Sequence, residues 1–217
     1  MKSDKELQRD VLNELAWEPS INAAHIGVSA RDGVVTLSDH VSSFWEKYTA
    51  ERVAKRVTGA RAVANELDVK LPGSSQRTDE DIAIAAVSAL RSNMSVPTDK
   101  VRVTVSKGWV TLEGEIEWQY QKQAAESAVR HLPGVIGLTN LIQVKPSVSQ
   151  SEVKAKIEEA LRRSAELDAR RITVEAEGRK VILRGRVRSW TEAEEAERAA
   201  WAAPGVTAVE TLITIEP

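Results

Sequence analysis

The sequence predicts an α+β fold built from three tandem modules, each with the element order α-β-β-α-β. The first observation is a nine-residue signature that occurs three times: GVVTLSDHV from Gly33, GWVTLEGEI from Gly108 and RKVILRGRV from Arg179. A second phrase follows at a fixed distance: TGARAVANELDV from Thr58, PGVIGLTNLIQV from Pro133 and PGVTAVETLITI from Pro204. The third observation is that every copy contains both helical and alternating apolar patterns. We therefore expect domains at residues 1–72, 77–146 and 149–217.

The first helix of each module is predicted by a capping pair and an apolar residue at every fourth position. The capping pairs are Ser3 with Glu6, Thr78 with Asp81, and Ser149 with Glu152. The apolar faces are Leu7, Val11 and Leu15; Ile82, Ala86 and Leu90; and Val153, Ile157 and Leu161.

A hairpin should follow each first helix, because alternating apolar residues flank turns at Asp32-Gly33, Lys107-Gly108 and Gly178-Arg179. Helix two is expected to start at a capping box in modules 1 and 3, formed by Ser43 with Glu46 and Ser189 with Glu192. Trp118 occupies this cap position in module 2, so its helix must start differently. The glycines Gly59, Gly134 and Gly205 suit the left-handed residue that ends a helix.

The connections define the topology of each module. The hairpin is antiparallel, and a right-handed crossover through helix two places strand three parallel to strand two. We predict a three-stranded mixed sheet with both helices on one face and a solvated outer face. Because a module of about 70 residues buries only about 60% of its surface, we also expect the repeats to pack against one another.

Composition excludes several functional classes. The modules contain 10, 8 and 12 basic residues against 11, 8 and 13 acidic ones, so general nucleic-acid binding is not expected. The chain has no cysteine and no apolar run of 18 residues, which argues against disulfides and a transmembrane segment. No apolar signal-peptide stretch follows Met1. We expect a cytoplasmic protein if Met1 is the native start, and a periplasmic one only if a signal was removed.

The repeated phrases resemble the BON family, which is named for bacterial osmotically inducible and nodulation proteins. The signature VTLxGxV and the phrase AxxxAxxxxGVxxVxNxLxV carry the resemblance across nearly the whole chain. It implies a bacterial stress- or envelope-related binding module with a phospholipid-binding role and no catalytic motif. Asp39 departs from the pattern, because Gly114 and Gly185 stand at the equivalent positions. We therefore expect a different approach to helix two in module 1.

Catalytic and metal sites are not expected. His25, His40 and His131 fall at unrelated positions of the repeat and show no metal-binding spacing. No nucleophile elbow and no phosphate-binding loop occurs. We expect a non-enzymatic protein without cofactor or metal.

Arg184, Arg186 and Arg188 form the first candidate site, for an anionic headgroup or an acidic partner. At period two they project from one strand face. The alternative is that Glu175 and Glu177 on the preceding strand neutralise them as cross-strand ion pairs.

The second candidate is an apolar interface formed by Trp109, Trp118, Tyr120 and Leu141. Six tryptophans among nine aromatic residues are an unusual share, and tryptophan is enriched at interfaces. The two readings of this surplus are packing between the repeats and contact with an external partner. Trp17 and Trp201 are expected at the edges of the core.

The preferred function is a binding or scaffold protein whose modules contact a protein partner or an anionic phospholipid surface. The alternative is a phospholipid-binding or lipid-carrying protein with a pocket between its modules.

Overall fold

The computed structural model describes residues 2–145, 153–163, 171–203 and 205–216, which form three modules of the predicted α+β type. The elements of module 1 are α1 (Asp4–Trp17), β1 (Ile26–Arg31), β2 (Val34–Val41), α2 (Phe44–Arg56), β3 (Ala62–Asn65) and β4 (Asp68–Val69). Those of module 2 are α3 (Asp79–Ser92), β5 (Val101–Ser106), β6 (Trp109–Ile116), α4 (Gln119–Arg130), β7 (Gly137–Asn140) and β8 (Gln143–Val144). Those of module 3 are α5 (Val153–Arg163), β9 (Ile172–Glu177), β10 (Lys180–Val187), α6 (Trp190–Trp201) and β11 (Ala208–Ile215).

Each sheet has the second strand of the hairpin in its centre, as predicted. β2, β6 and β10 pair antiparallel with the preceding strand and parallel with the strand that follows helix two. In modules 1 and 2 the last strand is interrupted, so β4 and β8 continue the parallel pairing as short separate strands. In module 3 the corresponding strand, β11, runs without a break.

The core of each module lies between its helices and one face of its sheet. In module 1, Leu7 and Val11 of α1 meet Val35 and Leu37 of β2 and Val53 of α2. The alternation along β2 explains this, since every second side chain points toward the helices. Modules 2 and 3 repeat the arrangement with equivalent residues.

The capping predictions for the first helices are confirmed where the structure describes them. Ser3 and Glu6 form a reciprocal capping box, and so do Thr78 and Asp81. The aspartate reaches less far: the backbone N–H of Thr78 donates to Asp81 at 3.2 Å, against 2.8 Å from Ser3 to Glu6. The predicted pair in module 3, Ser149 with Glu152, lies outside the described residues.

The capping boxes predicted for helix two are wrong in one detail. Ser43 and Ser189 do accept from the backbone N–H groups of Glu46 and Glu192. The glutamates, however, reach one residue further back: Glu46 accepts from the N–H of Ser42, and Glu192 from the N–H of Arg188. Both N-cap serines are fully extended, near φ −150°, which brings the preceding N–H toward the helix end.

The glycines after helix two adopt the predicted left-handed conformation, although not at the helix end itself. Gly59, Gly134 and Gly205 have φ values of 104°, 90° and 91°. α2 and α4 already end at Arg56 and Arg130, so the glycines lie in the loop that leads to the last strand.

Asp39 produces the local difference expected in module 1. Gly114 and Gly185 have φ near 147°, and a Cβ there would lie 2.0 Å from the carbonyl oxygens of Lys100 and Arg171. Asp39 instead adopts φ 78°, a left-handed conformation that aspartate tolerates. The backbone of module 1 therefore differs from that of modules 2 and 3 at this position.

Candidate interaction surfaces

Trp109 lies on the outer face of the module 2 sheet, opposite the helices. Its indole covers Gly137, where a Cβ would come within 2.2 Å of the ring, and its Nε1–H donates to Thr139 Oγ1 at 2.8 Å. β6 and β7 pair Trp109 with Gly137, so the glycine makes room for the ring. The side chain remains 48% exposed, which leaves an apolar surface on this face.

The other residues of the predicted interface do not all join Trp109. Leu141 follows Thr139 on the same side of the last strand and is exposed. Trp118 and Tyr120 lie beyond the opposite end of β6, and eight residues of strand separate positions by roughly 25 Å. The four residues therefore form two separate surfaces, one with Trp109 and one at the start of α4.

Trp118 is the N-cap residue of α4 and explains how this helix begins without serine. The side chain of Gln121 accepts from the backbone N–H groups of both Glu117 and Trp118, at 3.1 Å each. The half-buried indole of Trp118 is thus positioned by a glutamine cap, while Tyr120 in the first turn is exposed.

The arginine row is largely neutralised by carboxylates. Arg184 pairs with Glu175 at 3.3 Å, as the ion-pair alternative anticipates, and Arg186 pairs with Glu216 at 3.3 Å. Glu216 lies just past β11 and reaches Arg186 because of the parallel register of β11 with β10, which the sequence pattern does not specify. Arg188 follows the end of β10 and is exposed, and within the described residues its guanidinium has no ion pair.

Lys180 extends the same charged face. It pairs with Glu210 at 2.5 Å, and this hydrogen bond raises the pKa of Lys180 and lowers the pKa of Glu210. Acidic side chains on both neighbouring strands thus neutralise the cations of β10. We call this series of ion pairs on the outer face of module 3 the ion-pair ladder.

Several aromatic residues connect the modules. Trp190, at the start of α6, donates its Nε1–H to the carbonyl oxygen of Ala60 at 3.1 Å, and Lys55 lies over its ring at 5.2 Å. Module 3 is thereby attached to module 1. Trp201 at the end of α6 packs against the cores of both module 2 and module 3.

Modules 1 and 2 meet through α2 and the end of α4. Phe44 packs against the core of module 2, and the ring of Trp45 lies 4.1 Å from that of His131. The guanidinium of Arg130 stacks 3.5 Å over Tyr48. Burial and the neighbouring charge of Arg130 lower the pKa of His131.

The expected core-edge position of Trp17 is wrong. Trp17 is the last residue of α1 and is 85% exposed, whereas Trp201 is half-buried between two cores. The apolar period of α1 ends at Leu15, so Trp17 falls on the solvent side of the helix.

Sequence reasoning missed a contact between two histidines. The rings of His25 and His40 stack with their centroids 5.0 Å apart, and His40 Nδ1 lies 2.5 Å from Asp39 Oδ1. The hydrogen bond from His40 lowers the pKa of Asp39. The hairpin register contained the signal, because Ile26 pairs with Asp39 and the residues beside this pair are the two histidines.

Exposed large hydrophobic side chains are concentrated in module 2. The described part of the chain has ten, of which six lie in this module. They are Ile84, Val87, Met94, Trp109, Tyr120 and Leu141.

Clustered metal-ligating groups and membrane-spanning helices are not found in the part of the chain that the structure describes. No set of three histidine, aspartate or glutamate side chains there could hold a metal ion. None of the described helices has the length and apolar character needed to cross a membrane.

The fold and these surfaces define a class of protein: a tandem array of small α+β modules that share one core design and differ on their surfaces. The BON domain family matches the chain three times, at residues 3–70, 78–146 and 149–217. The chain therefore belongs to the BON domain family.

Relatives of known identity and solved structure extend this comparison. The chain is 30% identical over 146 residues to Osmotically-inducible protein Y of Escherichia coli (strain K12), covering 65% of this chain and 73% of that protein. Structural matches include CdsD of Chlamydia trachomatis, a structural protein of the type III secretion system, at 13% identity, TM-score 0.28, and coverage of 98% and 93%. A second match, the C-terminal domain of CdsD, has 13% identity, a TM-score of 0.27 and full coverage of both chains.

Proposed function

We propose that this chain is a non-enzymatic binding scaffold in which module 2 contacts a protein partner and modules 1 and 3 hold it in place. The observation that carries the proposal is that two exposed large hydrophobic side chains, Trp109 and Leu141, lie on the outer sheet face of module 2. Exposed apolar surface beyond scattered single residues is typical of interaction sites.

The contact surface is the outer sheet face around Trp109 and Leu141. Trp109 is held over Gly137 by its hydrogen bond to Thr139, so little side-chain entropy is lost when a partner covers it. Rigid, half-exposed tryptophan is the residue type that most often dominates binding energy at interfaces.

The setting of this function is inferred from the relative. The similarity to Osmotically-inducible protein Y supports a role of the chain in the bacterial response to osmotic stress. A scaffold acting in that response needs surfaces for partners and no catalytic group.

Chemical cross-linking in the source cell under hyperosmotic conditions tests the proposal. Trp109→Lys places at this position the residue type that module 3 carries as Lys180, and Trp17→Ala removes a more exposed tryptophan of module 1 as the control. We expect Trp109→Lys to reduce recovery of a specific partner about tenfold or more and Trp17→Ala to leave it unchanged. An unaltered set of partners with a folded Trp109→Lys variant would contradict the proposal.

A second candidate function, phospholipid binding, has one specific observation in its favour. A cleft of about 590 Å³ lies between modules 2 and 3, lined by Lys122, Lys145, Arg179 and Trp201 among others. The described residues that line it include no carboxylate, and burial lowers the pKa of Lys122. Such a cleft suits an anionic headgroup beside an aromatic wall.

Co-sedimentation with phosphatidylglycerol and with phosphatidylcholine vesicles tests this second candidate. Lys122→Glu should abolish binding to the anionic vesicles, because it reverses one positive charge of the cleft. Binding of the wild type should weaken with salt, since surface electrostatics is screened within about 10 Å at 0.1 M salt. Lys47→Glu, at the equivalent position of module 1, is the matched control and should bind like the wild type. Equal sedimentation of both variants would exclude the cleft as the lipid site.

A further inference from the structure

The exposed face of α3 differs from its counterpart in module 1. Ile82, Ala86 and Leu90 are buried toward the core, while Ile84 is 63% exposed and Val87 is 39% exposed. Module 1 carries Arg9 at the position of Ile84, so an apolar residue is not required there by the fold.

A four-residue stripe runs along this face: Glu80, Ile84, Val87 and Arg91. The spacing of four, three and four residues places all of them on one side of the helix. We call these four residues the α3 stripe. Its middle is apolar, and its two ends are exposed side chains of opposite charge.

The two charged ends have no ion pair within the described part of the chain, which includes every residue of α3 and its neighbours in module 2. They cannot pair with each other, because eleven residues of helix separate them by roughly 16 Å. Both charges are therefore available to a partner.

The α3 stripe is symmetric about its centre. Glu80 stands four residues before Ile84, and Arg91 stands four residues after Val87. When two such helices pack antiparallel about a twofold axis, Ile84 meets Val87 of the second copy and Glu80 meets Arg91 of the second copy. A twofold interface is made by the same patch on both subunits, and this patch is complementary to itself in charge.

We infer that the α3 stripe is a homodimer contact, in which a second copy of this chain packs its own α3 antiparallel against the first. An anionic membrane is a poorer occupant, because Asp79, Glu80 and Asp81 form an acidic first turn at one end of the stripe. The contact is small, so the dimer should be weak and dependent on concentration.

Sedimentation equilibrium over a dilution series measures the association. We expect the average mass of the wild type to rise from 23.8 kDa toward twice this value with concentration. Ile84→Arg, which copies the residue of module 1, should weaken the dimer about tenfold or more while the melting curve stays unchanged. A wild type that stays monomeric throughout, or a dimer that Ile84→Arg leaves intact, overturns the inference.

Charge reversal tests the antiparallel register. Glu80→Arg and Arg91→Glu should each weaken association, because both place like charges opposite each other. The double variant restores both pairs and should regain dimerisation. A double variant as weak as either single one overturns the register.

Flotation with mixed phosphatidylcholine and phosphatidylglycerol vesicles tests whether lipid, and not a second copy of the chain, binds the α3 stripe. A monomeric protein that floats with the vesicles, and loses this binding through Ile84→Arg, would assign the α3 stripe to lipid instead. The Trp109→Lys variant should dimerise normally, so the fate of this inference is separable from that of the proposed partner surface.

Discussion

Modules 2 and 3 have equivalent cores, but their outer sheet faces differ at the start of the central strand. In module 3 the face is an ion-pair ladder in which Lys180, Arg184 and Arg186 are answered by carboxylates of the neighbouring strands and of the residue just past β11. In module 2 the equivalent of Lys180 is Trp109, packed over Gly137. The repeated pattern therefore specifies the core, whereas the outer sheet faces diverge at a few positions.

The last strands of the two modules differ as well. In module 2, Asn140 interrupts the strand: its amide donates to the carbonyl oxygen of Lys122 and to Glu126, and its side-chain oxygen accepts from the N–H of Ile142. Asn65 makes the same contacts in module 1. Module 3 has Thr211 at this position, and β11 continues straight through it.

The largest predicted effect on stability concerns a glycine that modules 2 and 3 share and that module 1 replaces with Asp39. Gly114→Ala and Gly185→Ala should each destabilise their module by about 3 kcal/mol or more, because a Cβ would lie 2.0 Å from a backbone carbonyl oxygen. Urea unfolding measures this, with Gly73→Ala, which has open space around it, as the control. Losses below about 0.5 kcal/mol would mean that the backbone relaxes to the Asp39 conformation at little cost.

Substitution at the equivalent positions Asn140 and Thr211 should destabilise module 2 more than module 3. We expect a loss of about 2 kcal/mol in Asn140→Ala, because three hydrogen bonds disappear and the N–H of Ile142 loses its partner. Thr211→Ala should change the free energy of unfolding by less than about 0.5 kcal/mol, since Thr211 is exposed. Equal losses in both variants would show that the asparagine contacts add nothing to stability.

Substitution of Trp190 should weaken the attachment of module 3 to module 1 more than it lowers the stability of module 3 itself. Trp190→Ala removes the hydrogen bond to Ala60 and the contact with Lys55, which together contribute about 1 to 2 kcal/mol. Small-angle scattering should then show a larger radius of gyration. Trp190→Phe keeps an aromatic ring but has no hydrogen-bond donor, so its radius of gyration should lie between those of the wild type and Trp190→Ala. An unchanged radius in Trp190→Ala would contradict the attachment.

Nearly all of the fold could be predicted from the sequence, because core positions repeat in the three copies with helical or strand periodicity. The hairpin turns, the sheet order and the buried faces follow from local patterns. The contacts between modules could not, since Trp190 reaches Ala60 across 130 residues and no local pattern encodes that pairing. The same limit applies to Arg186, whose partner Glu216 depends on the register of β11.

The four residues of the candidate interface are predicted at two places, Trp109 with Leu141 on the sheet face and Trp118 with Tyr120 at the start of helix two. Strand geometry keeps these two places apart, because Trp109 is the first residue of β6 and Trp118 lies two residues past its last. The exposure of Ile84 could have been predicted from the sequence, because Arg9 stands at the equivalent position of α1.

The smallest predicted effect is a pH dependence that is specific to the contact between modules 1 and 2. Burial against Trp45 and the charge of Arg130 lower the pKa of His131 below its ordinary value of 6.5, so the folded protein favours the neutral ring. The unfolded chain then binds more protons than the folded one, and stability present above pH 6.5 is lost as the pH falls through the pKa of the folded state. The loss is small because the ring stays largely exposed. Urea unfolding between about pH 7 and about pH 5 should show a shallower pH dependence in His131→Gln than in the wild type. Identical slopes in the two proteins would mean that protonation of the ring does not disturb its contact with Trp45. Module 3 is attached through the uncharged indole of Trp190, so it should keep its position throughout this pH range.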